Sequence, residues 1–177
     1  MEALLFLANA LVGFFSTLFL LRFMMQWGRV SFSGQLGDFV VKLTNWAVKP
    51  LRRIVPGVGG VDWASLIAAL WLQLLLAGLI LSLSSAVLSA DGFGMVLMLL
   101  MLAVRGLLRL FVYIVMGVVI LQAVLSWVNP YSPIAAPVSQ LARPFLAPFR
   151  RLIPPISGID LSPLALILLL QLLLMYL

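Results

Sequence analysis

The sequence PLRRIVP at residues 50–56 returns as PFRRLIP at residues 148–154, 98 positions further along the chain. Each copy sets two adjacent arginines between two prolines. Other residues repeat with this element: Gly60/Gly158, Asp62/Asp160 and Gln73/Gln171 at a spacing of 98, and Trp27/Trp127 at a spacing of 100. Self-similarity at one long period predicts a duplicated structural unit.

The composition places both copies in a membrane. Hydrophobic residues make up 64% of the 177 residues, charged residues make up 9%, and the mean hydropathy is +1.23. Soluble domains contain roughly 45–50% apolar and about 25% charged residues. A soluble chain of this length could not hide so many apolar side chains from water. The sequence therefore predicts an integral membrane protein.

Four stretches are apolar enough to cross the hydrocarbon layer, which takes roughly 20 residues. They are about 3–23, 63–88, 106–128 and 161–177. Since unpaired backbone groups are costly in lipid, each stretch is predicted to be a helix. The expected fold is an all-α membrane protein with four transmembrane helices, built from two helix–amphipathic segment–helix repeats at 1–90 and 91–177. Whether residues 93–104 extend the third helix or lie at the interface is left open.

The amphipathic segments are predicted at 35–55 and 133–153. In the first, Leu36, Val40 and Leu43 recur at helical spacing, with Lys42 and Lys49 opposite them. This pattern is typical of a helix in the membrane interface, with its apolar face in lipid and its cations towards headgroups. The second segment contains four prolines that predict a break into short turns, at positions 133, 137, 144 and 148.

The basic residues predict the orientation. They are concentrated in the two polar segments, whereas the N-terminus and the short turn near Asp91 carry none. By the positive-inside rule both segments face the cytoplasm and both termini face outward. Trp27 and Trp127 are expected to anchor helix ends at headgroup level.

Asp62 and Asp160 stand where the second and fourth apolar helices begin. An aspartate there is suited to cap the helix N-terminus, since its carboxylate accepts hydrogen bonds from unpaired N–H groups. The alternative is a salt bridge from each aspartate to the Arg-Arg pair of its own repeat, which would fix the amphipathic segment to the following helix.

Further polar side chains lie within the apolar stretches. Gln73, Gln171 and Gln122 are expected to bond neighbouring helices, or else to line a polar pathway. Arg105 and Arg109 lie four residues apart and so share one helix face. They are expected to extend towards the interface, with a functional pair facing the helix bundle as the alternative.

The composition also excludes most chemistry. The chain has no cysteine and no histidine, and its five acidic residues are scattered. No nucleophile, general base, metal-ligand set or phosphate loop is recognisable, so we expect no enzyme, no cofactor and no metal. The net charge of +6 favours an anionic bilayer surface or an acidic partner over nucleic acid in a membrane protein.

These repeated elements resemble the YggT family of small bacterial membrane proteins, called YlmG in Gram-positive bacteria and plastids. The second half carries them most clearly, as SWVNP at 126–130, PFRRLIP at 148–154 and SGIDLSP at 157–163. The first half departs from them at Gln26 and at residues 61–65. The resemblance implies a location in the bacterial inner membrane. It also implies an association with osmotic-stress tolerance, potassium balance or envelope organisation, but no catalytic residues.

The resulting hypothesis is a non-enzymatic scaffold or assembly factor that binds anionic lipid and a membrane or cytoplasmic protein. Its expected contacts are the basic residues of the two segments: Arg52, Arg53, Arg150, Arg151, Lys42, Lys49 and Arg143. Assembly into a homo-oligomer is left open. The alternative is a channel or transport component in osmotic and potassium homeostasis, with the intramembrane glutamines and arginines along its pathway.

Overall fold

The computed structural model describes residues 2–31, 34–57, 60–83, 92–153 and 160–177. Over these residues the chain is all-helical, with six helices. They are α1 (Glu2–Trp27), α2 (Gln35–Ile54), α3 (Trp63–Ser82), α4 (Gly92–Val128), α5 (Ala135–Leu152) and α6 (Ser162–Tyr176). The predicted repeat boundary at 90/91, the turn at Asp91 and the last residues of the second predicted span lie outside the described ranges.

Three of these helices, α1, α3 and α4, are long and apolar enough to cross a membrane. The chain is therefore a multi-pass membrane protein by helix length and composition. The fourth predicted span corresponds to α6, which has 15 residues and rises only about 22 Å. The open question about residues 93–104 is answered by α4, which runs without interruption over 37 residues.

The core lies where α1, α3 and α4 meet. The most extensive interface joins α1 to α3, and α4 contacts both of them as well as α5 and α6. Small side chains on α3 allow this close approach, among them Ala64, Ala68 and Ala69, all of which are buried. The N-terminal half of α1 exposes large apolar side chains such as Leu4 and Phe6, as expected of a surface in contact with lipid.

A tight backbone turn ends α1 and directs the chain back towards α2. The N–H of Val30 bonds to the carbonyl of Met25, and the N–H of Arg29 bonds to that of Gln26. This is the Schellman arrangement, in which the residue after the helix adopts a left-handed conformation. That residue is Arg29, with a φ of 53°.

The buried face of α2 packs against protein, not lipid. Gly37, Val40, Thr44 and Val48 are buried, and α2 contacts both α1 and α3. The expectation of an apolar face immersed in lipid is therefore wrong for this stripe. Phe39, which precedes Val40 on the same helix, is exposed.

The prediction that prolines break the second segment is also wrong. α5 is continuous from Ala135 to Leu152 with Pro144 and Pro148 inside it. A proline in a helix removes one hydrogen bond and crowds the carbonyl four residues earlier. Both prolines lie on the exposed side of α5, while its buried side packs Val138, Ala142 and Leu146 against the protein. We attribute the survival of the helix to this buried apolar face.

Candidate functional site

The best-developed polar site is a buried ion cluster where α1, α2 and α3 meet, formed by Arg22, Arg52, Asp62 and Ser65 and called here the Asp62 cluster. Asp62 is only 1% exposed. Arg52 on α2 donates from Nη2 to Oδ2 at 2.6 Å and from Nε to Oδ1 at 3.3 Å, a two-point contact. Ser65 on α3 donates its hydroxyl to Oδ2 at 2.7 Å. One carboxylate thus joins α2 to α3.

Arg22 brings α1 into the same cluster. Its Nε lies 3.5 Å from Oδ2 of Asp62, which is an ion pair without hydrogen-bond alignment. Its Nη1 donates to the Thr44 hydroxyl at 2.6 Å and to the Asn45 side-chain oxygen at 3.1 Å, both on α2. Thr44 in turn donates to the carbonyl of Val40. Since Arg22 is buried, these bonds replace the hydration that its guanidinium gives up.

The capping prediction needs correction at Asp62. The residue occupies the N-cap position of α3, but its side chain makes no capping hydrogen bond. Its carboxylate is bound to Arg52 and Ser65 instead, so the alternative of a salt bridge to the Arg-Arg pair describes this half. In the second half the N-cap of α6 is Leu161, and Asp160, one residue earlier, accepts from the backbone N–H of Ser162 at 3.0 Å and from Nε of Arg150 at 2.8 Å.

The two halves differ in how deeply these pairs are buried. In the second pair the Arg150 side chain is 43% exposed and that of Asp160 is 36% exposed. The position of Arg22 is taken by Gln122, whose Oε1 is buried and has no hydrogen-bond partner in the described part of the chain. The second half therefore repeats the Arg-Asp contact but lacks the second arginine.

Both carboxyl groups are held in the ionised state. Burial alone would raise the pKa of Asp62, but the hydrogen bonds from Arg52 and Ser65 and the charges of Arg52 and Arg22 lower it further than burial raises it, leaving a net decrease. For Asp160 burial likewise opposes the decrease, and the bonds from Ser162 and Arg150 again lower the pKa.

The structure divides each Arg-Arg pair. All four arginines are exposed, but Arg52 and Arg150 bind aspartates, whereas Arg53 and Arg151 make no ion pair with any residue the structure describes. Consecutive helical residues point about 100° apart, so only one arginine of each pair can face its aspartate. The hypothesis that all four arginines contact a partner stays a prediction, and Arg53 and Arg151 are the two that no described aspartate binds.

Exposed cations are concentrated on α2. Lys42, Lys49 and Arg53 lie on one face of the helix, together with Asp38, and all four are exposed. We call the three cations the α2 stripe. At the spacing of 98 residues the corresponding positions on α5 are Gln140, Ala147 and Arg151, so α5 keeps one cation of the three. Arg143 is a further exposed cation of α5.

The intramembrane glutamines lie in different environments. Gln73 is buried and donates to the Ser16 hydroxyl at 3.3 Å, which links α3 to α1. On its other side the Gln73 amide abuts Gly106 of α4, where no Cβ would fit. Gln171 is exposed on α6.

The two arginines of α4 also separate. Arg109 borders a cavity of about 330 Å³ between α1, α3 and α4, to which Asn9, Gln73 and Tyr113 contribute polar groups. Arg109 and Arg105 are both exposed, and Arg105 lines other clefts, one of them between α4 and α6.

The tryptophan anchors are both exposed at helix ends. Trp27 lies at the end of α1, and its ring is 5.9 Å from that of Phe145 on α5, so it also connects the two halves. Trp127 is 76% exposed near the end of α4.

Sequence reasoning missed most partners of the Asp62 cluster. Arg22, Thr44 and Ser65 were not singled out as site residues, nor were Asn9 and Tyr113. A signal did exist for Arg22, because a charged residue that close to the inner end of an apolar helix needs a counter-charge. The partners Thr44 and Ser65 carry no such signal in the sequence, since serine and threonine are common in membrane helices.

Long apolar helices joined at one end by an ion cluster, with exposed amphipathic helices beside it, define a polytopic helical membrane protein built around internal arginine–aspartate pairs. The chain belongs to the CCB3/YggT family, whose sequence model matches residues 1–83 and 101–177.

Relatives in three bacteria are similar over most of the chain. An uncharacterised protein of Pseudomonas aeruginosa is 38% identical over 91% of this chain and 81% of its own length. YggT of Escherichia coli, also uncharacterised, is 37% identical over 96% of this chain and 86% of its own length. A Vibrio alginolyticus protein named for the proC 3′ region is 38% identical over 97% of this chain and 91% of its own length. No match to a solved structure was found.

Replacing the two aspartates separately should show which pair holds the fold. Asp62→Asn leaves Arg22 buried without its counter-charge and should cost roughly 3 kcal/mol of unfolding free energy. Asp160→Asn removes a partly exposed pair and should cost about 1 kcal/mol or less. The measurement is SDS-induced unfolding of the purified protein in mixed micelles. Equal losses for the two variants would contradict the assignment of Asp62 as the central group.

The lowered carboxyl pKa values predict loss of stability in acid. The unfolded carboxyl of Asp62 binds a proton near its usual value of 3.8, whereas the native one stays ionised to lower pH. The unfolded state then binds more protons, so stability falls as the pH drops below about 4. Thermal unfolding in detergent between pH 7 and pH 3 measures this. The slope should be flatter for Asp62→Asn, and an unchanged slope would show that another group is responsible.

Proposed function

We propose that this protein is a non-enzymatic scaffold or assembly factor of the bacterial inner membrane. In this proposal α6 is a fourth span, both termini face outward, and α2 and α5 lie at the cytoplasmic surface. There they bind anionic lipid and present a surface to a membrane or cytoplasmic protein. A role in osmotic-stress tolerance or envelope organisation would follow from that surface, as the YggT resemblance implies.

The α2 stripe is the observation that carries this proposal. Three cations share one exposed face, and their neighbour Arg52 is bound to Asp62. The Asp62 cluster holds α2 against α1 and α3, so the stripe is presented by a fixed helix and not by a flexible loop. Each basic residue near an anionic surface contributes about 1 kcal/mol to membrane affinity.

Helix α2 also offers apolar contacts beside its charges. Trp46 is 63% exposed, although its ring lies against Phe15 and Phe19 of α1. Phe39 and Ile54 are exposed on the same helix. Apolar groups that enter the headgroup region next to cations are typical of interfacial helices, and the same combination suits an acidic protein partner.

The orientation rests on charge and helix length. The basic residues of α2 and α5 favour the cytoplasmic side. α6 follows α5 as α3 follows α2, and with flanking Leu161 and Leu177 its apolar length approaches that of a span. A short span is accommodated by local thinning of the bilayer.

A potassium pathway receives less support. The cavity beside α4 contains Gln73, as a channel would require, but it also contains Arg109, whose positive charge opposes entry of a cation. Gln171 lies on an exposed face of α6 and does not line that cavity.

Lipid selectivity tests the stripe. In nanodiscs of mixed phosphatidylcholine and phosphatidylglycerol, the protein should enrich phosphatidylglycerol among its co-purified lipids, measured by mass spectrometry. The triple variant Lys42→Gln, Lys49→Gln, Arg53→Gln should lose about 3 kcal/mol of surface attraction and most of the enrichment. Asp38→Asn is the matched control on the same face and should increase enrichment. Equal enrichment by all three proteins would reject lipid binding through α2.

The orientation can be tested with single cysteines, since the natural chain has none. In intact spheroplasts a membrane-impermeant maleimide should label Glu2→Cys and should leave Lys49→Cys unlabelled until the membrane is opened. The reverse labelling pattern would place α2 outside and remove the cytoplasmic scaffold from consideration.

A further inference from the structure

The depth of Arg109 follows from its neighbours. α3 has 20 residues and rises about 30 Å, which matches the thickness of the hydrocarbon layer. Gln73 is near the middle of α3, and Gly106 of α4 abuts its amide. Gly106 therefore lies near the centre of the bilayer, and Arg109 follows it by less than one helical turn.

This depth argues against simple snorkelling of Arg109. Three residues of helix place Arg109 about 4.5 Å from the bilayer centre. The nearer surface of the hydrocarbon layer is then about 10 Å away, which is further than an arginine side chain extends. A charged side chain at such depth faces a cavity or a partner in nearly all membrane proteins. Arg109 does border a cavity, and it forms no ion pair within the described part of the chain.

The cavity supplies hydrogen-bond donors around Arg109. It contains the Asn9 amide from α1 and the Tyr113 phenol from α4, while the Gln73 amide borders it from α3. Its volume of about 330 Å³ is made available by the small residues Gly13, Ala77 and Gly106. Among the described residues, no carboxylate lines it. A guanidinium with neutral donors and no counter-charge is complementary to an oxyanion, which it can bind through two parallel N–H bonds.

The geometry points to a phosphate-class oxyanion as the ligand of this cavity, held by Arg109 with Asn9 and Tyr113. Along α4 the cavity reaches from Leu102 past Arg109 to Tyr113, and along α3 it extends from Gln73 to Ile80, towards the membrane surface away from α2. The anion would enter from that side, either as the headgroup of a phospholipid or as free phosphate. This site is separate from the α2 stripe, so it stands independently of the proposed scaffold function.

The test uses the full chain purified in dodecyl maltoside, a detergent without phosphate. Its thermal unfolding is followed while inorganic phosphate is added at constant ionic strength, and separately while short-chain phosphatidylglycerol is added. A saturable rise in Tm with either ligand is expected. A rise with phosphate identifies the free anion as sufficient, and a rise with the lipid alone identifies a headgroup. If neither phosphate nor the lipid raises the Tm, the proposal is overturned.

Variants locate the binding. Arg109→Gln should weaken the apparent affinity about tenfold or more, as expected for loss of a charged hydrogen-bond partner. Arg105→Gln is the matched control, since it removes the same charge four residues away but outside the cavity. It should bind as the natural protein does. Equal losses in the two variants would show non-specific attraction and reject the site.

Two further variants keep the test decisive if Arg109→Gln does not fold. Arg109→Lys keeps the charge with fewer donors, and Asn9→Leu removes a donor from a different helix. Both should weaken binding, and unchanged affinity in both would overturn the assignment. The triple glutamine variant of the α2 stripe should keep the Tm rise in full. If this triple variant lost the Tm rise, the anion would bind at the surface of α2 and not in the cavity.

Discussion

The carboxylate of Asp62 is the group on which the first half of the protein depends. It is buried where three helices meet, and a buried charge is tolerated only when partners satisfy it. Arg52 supplies them from α2, Ser65 from α3 and Arg22 from α1. Because all three helices contribute, separating α2 from the bundle would leave the buried charges of Arg22 and Asp62 without their bonds to α2. The position of the exposed cations on α2 follows from this buried contact.

The two halves contain the same structural elements but bury their aspartates to different depths. Three buried positions of α2 recur as buried positions of α5 at the spacing of 98: Val40 and Val138, Thr44 and Ala142, and Val48 and Leu146. Gln122 stands where the first half has Arg22, and the second aspartate is accordingly more exposed. Asp160 has one arginine fewer beside it than Asp62 has, so its charge would be less well compensated if it were buried. The first half thus has the more deeply buried carboxylate, and the α2 stripe lies on the helix that it binds.

The sequence predicted the apolar helices and the two amphipathic segments because these depend on local composition and period. It offered the arginine–aspartate pairing only as an alternative to capping, since an aspartate before a helix satisfies both patterns. It could not show that Arg22 and Thr44 share the site, because their contact depends on how α1 packs on α2. The prolines of α5 misled for a related reason. The sequence shows the free-energy cost of each proline within a helix. It does not show the packing of the apolar face of α5 against the rest of the protein, which outweighs that cost.

The repeat also explains why a charged cavity can exist within one helix bundle. At the spacing of 100 residues Asn9 corresponds to Arg109 and Gly13 to Tyr113, and all four border the same cavity. Equivalent positions of the two halves therefore face each other across it. Had both been arginine, their repulsion in an apolar setting would be severe; had both been asparagine, no charge would attract an anion. Divergence of the two copies, with a neutral amide opposite a single guanidinium, is what makes the cavity selective for a negative group.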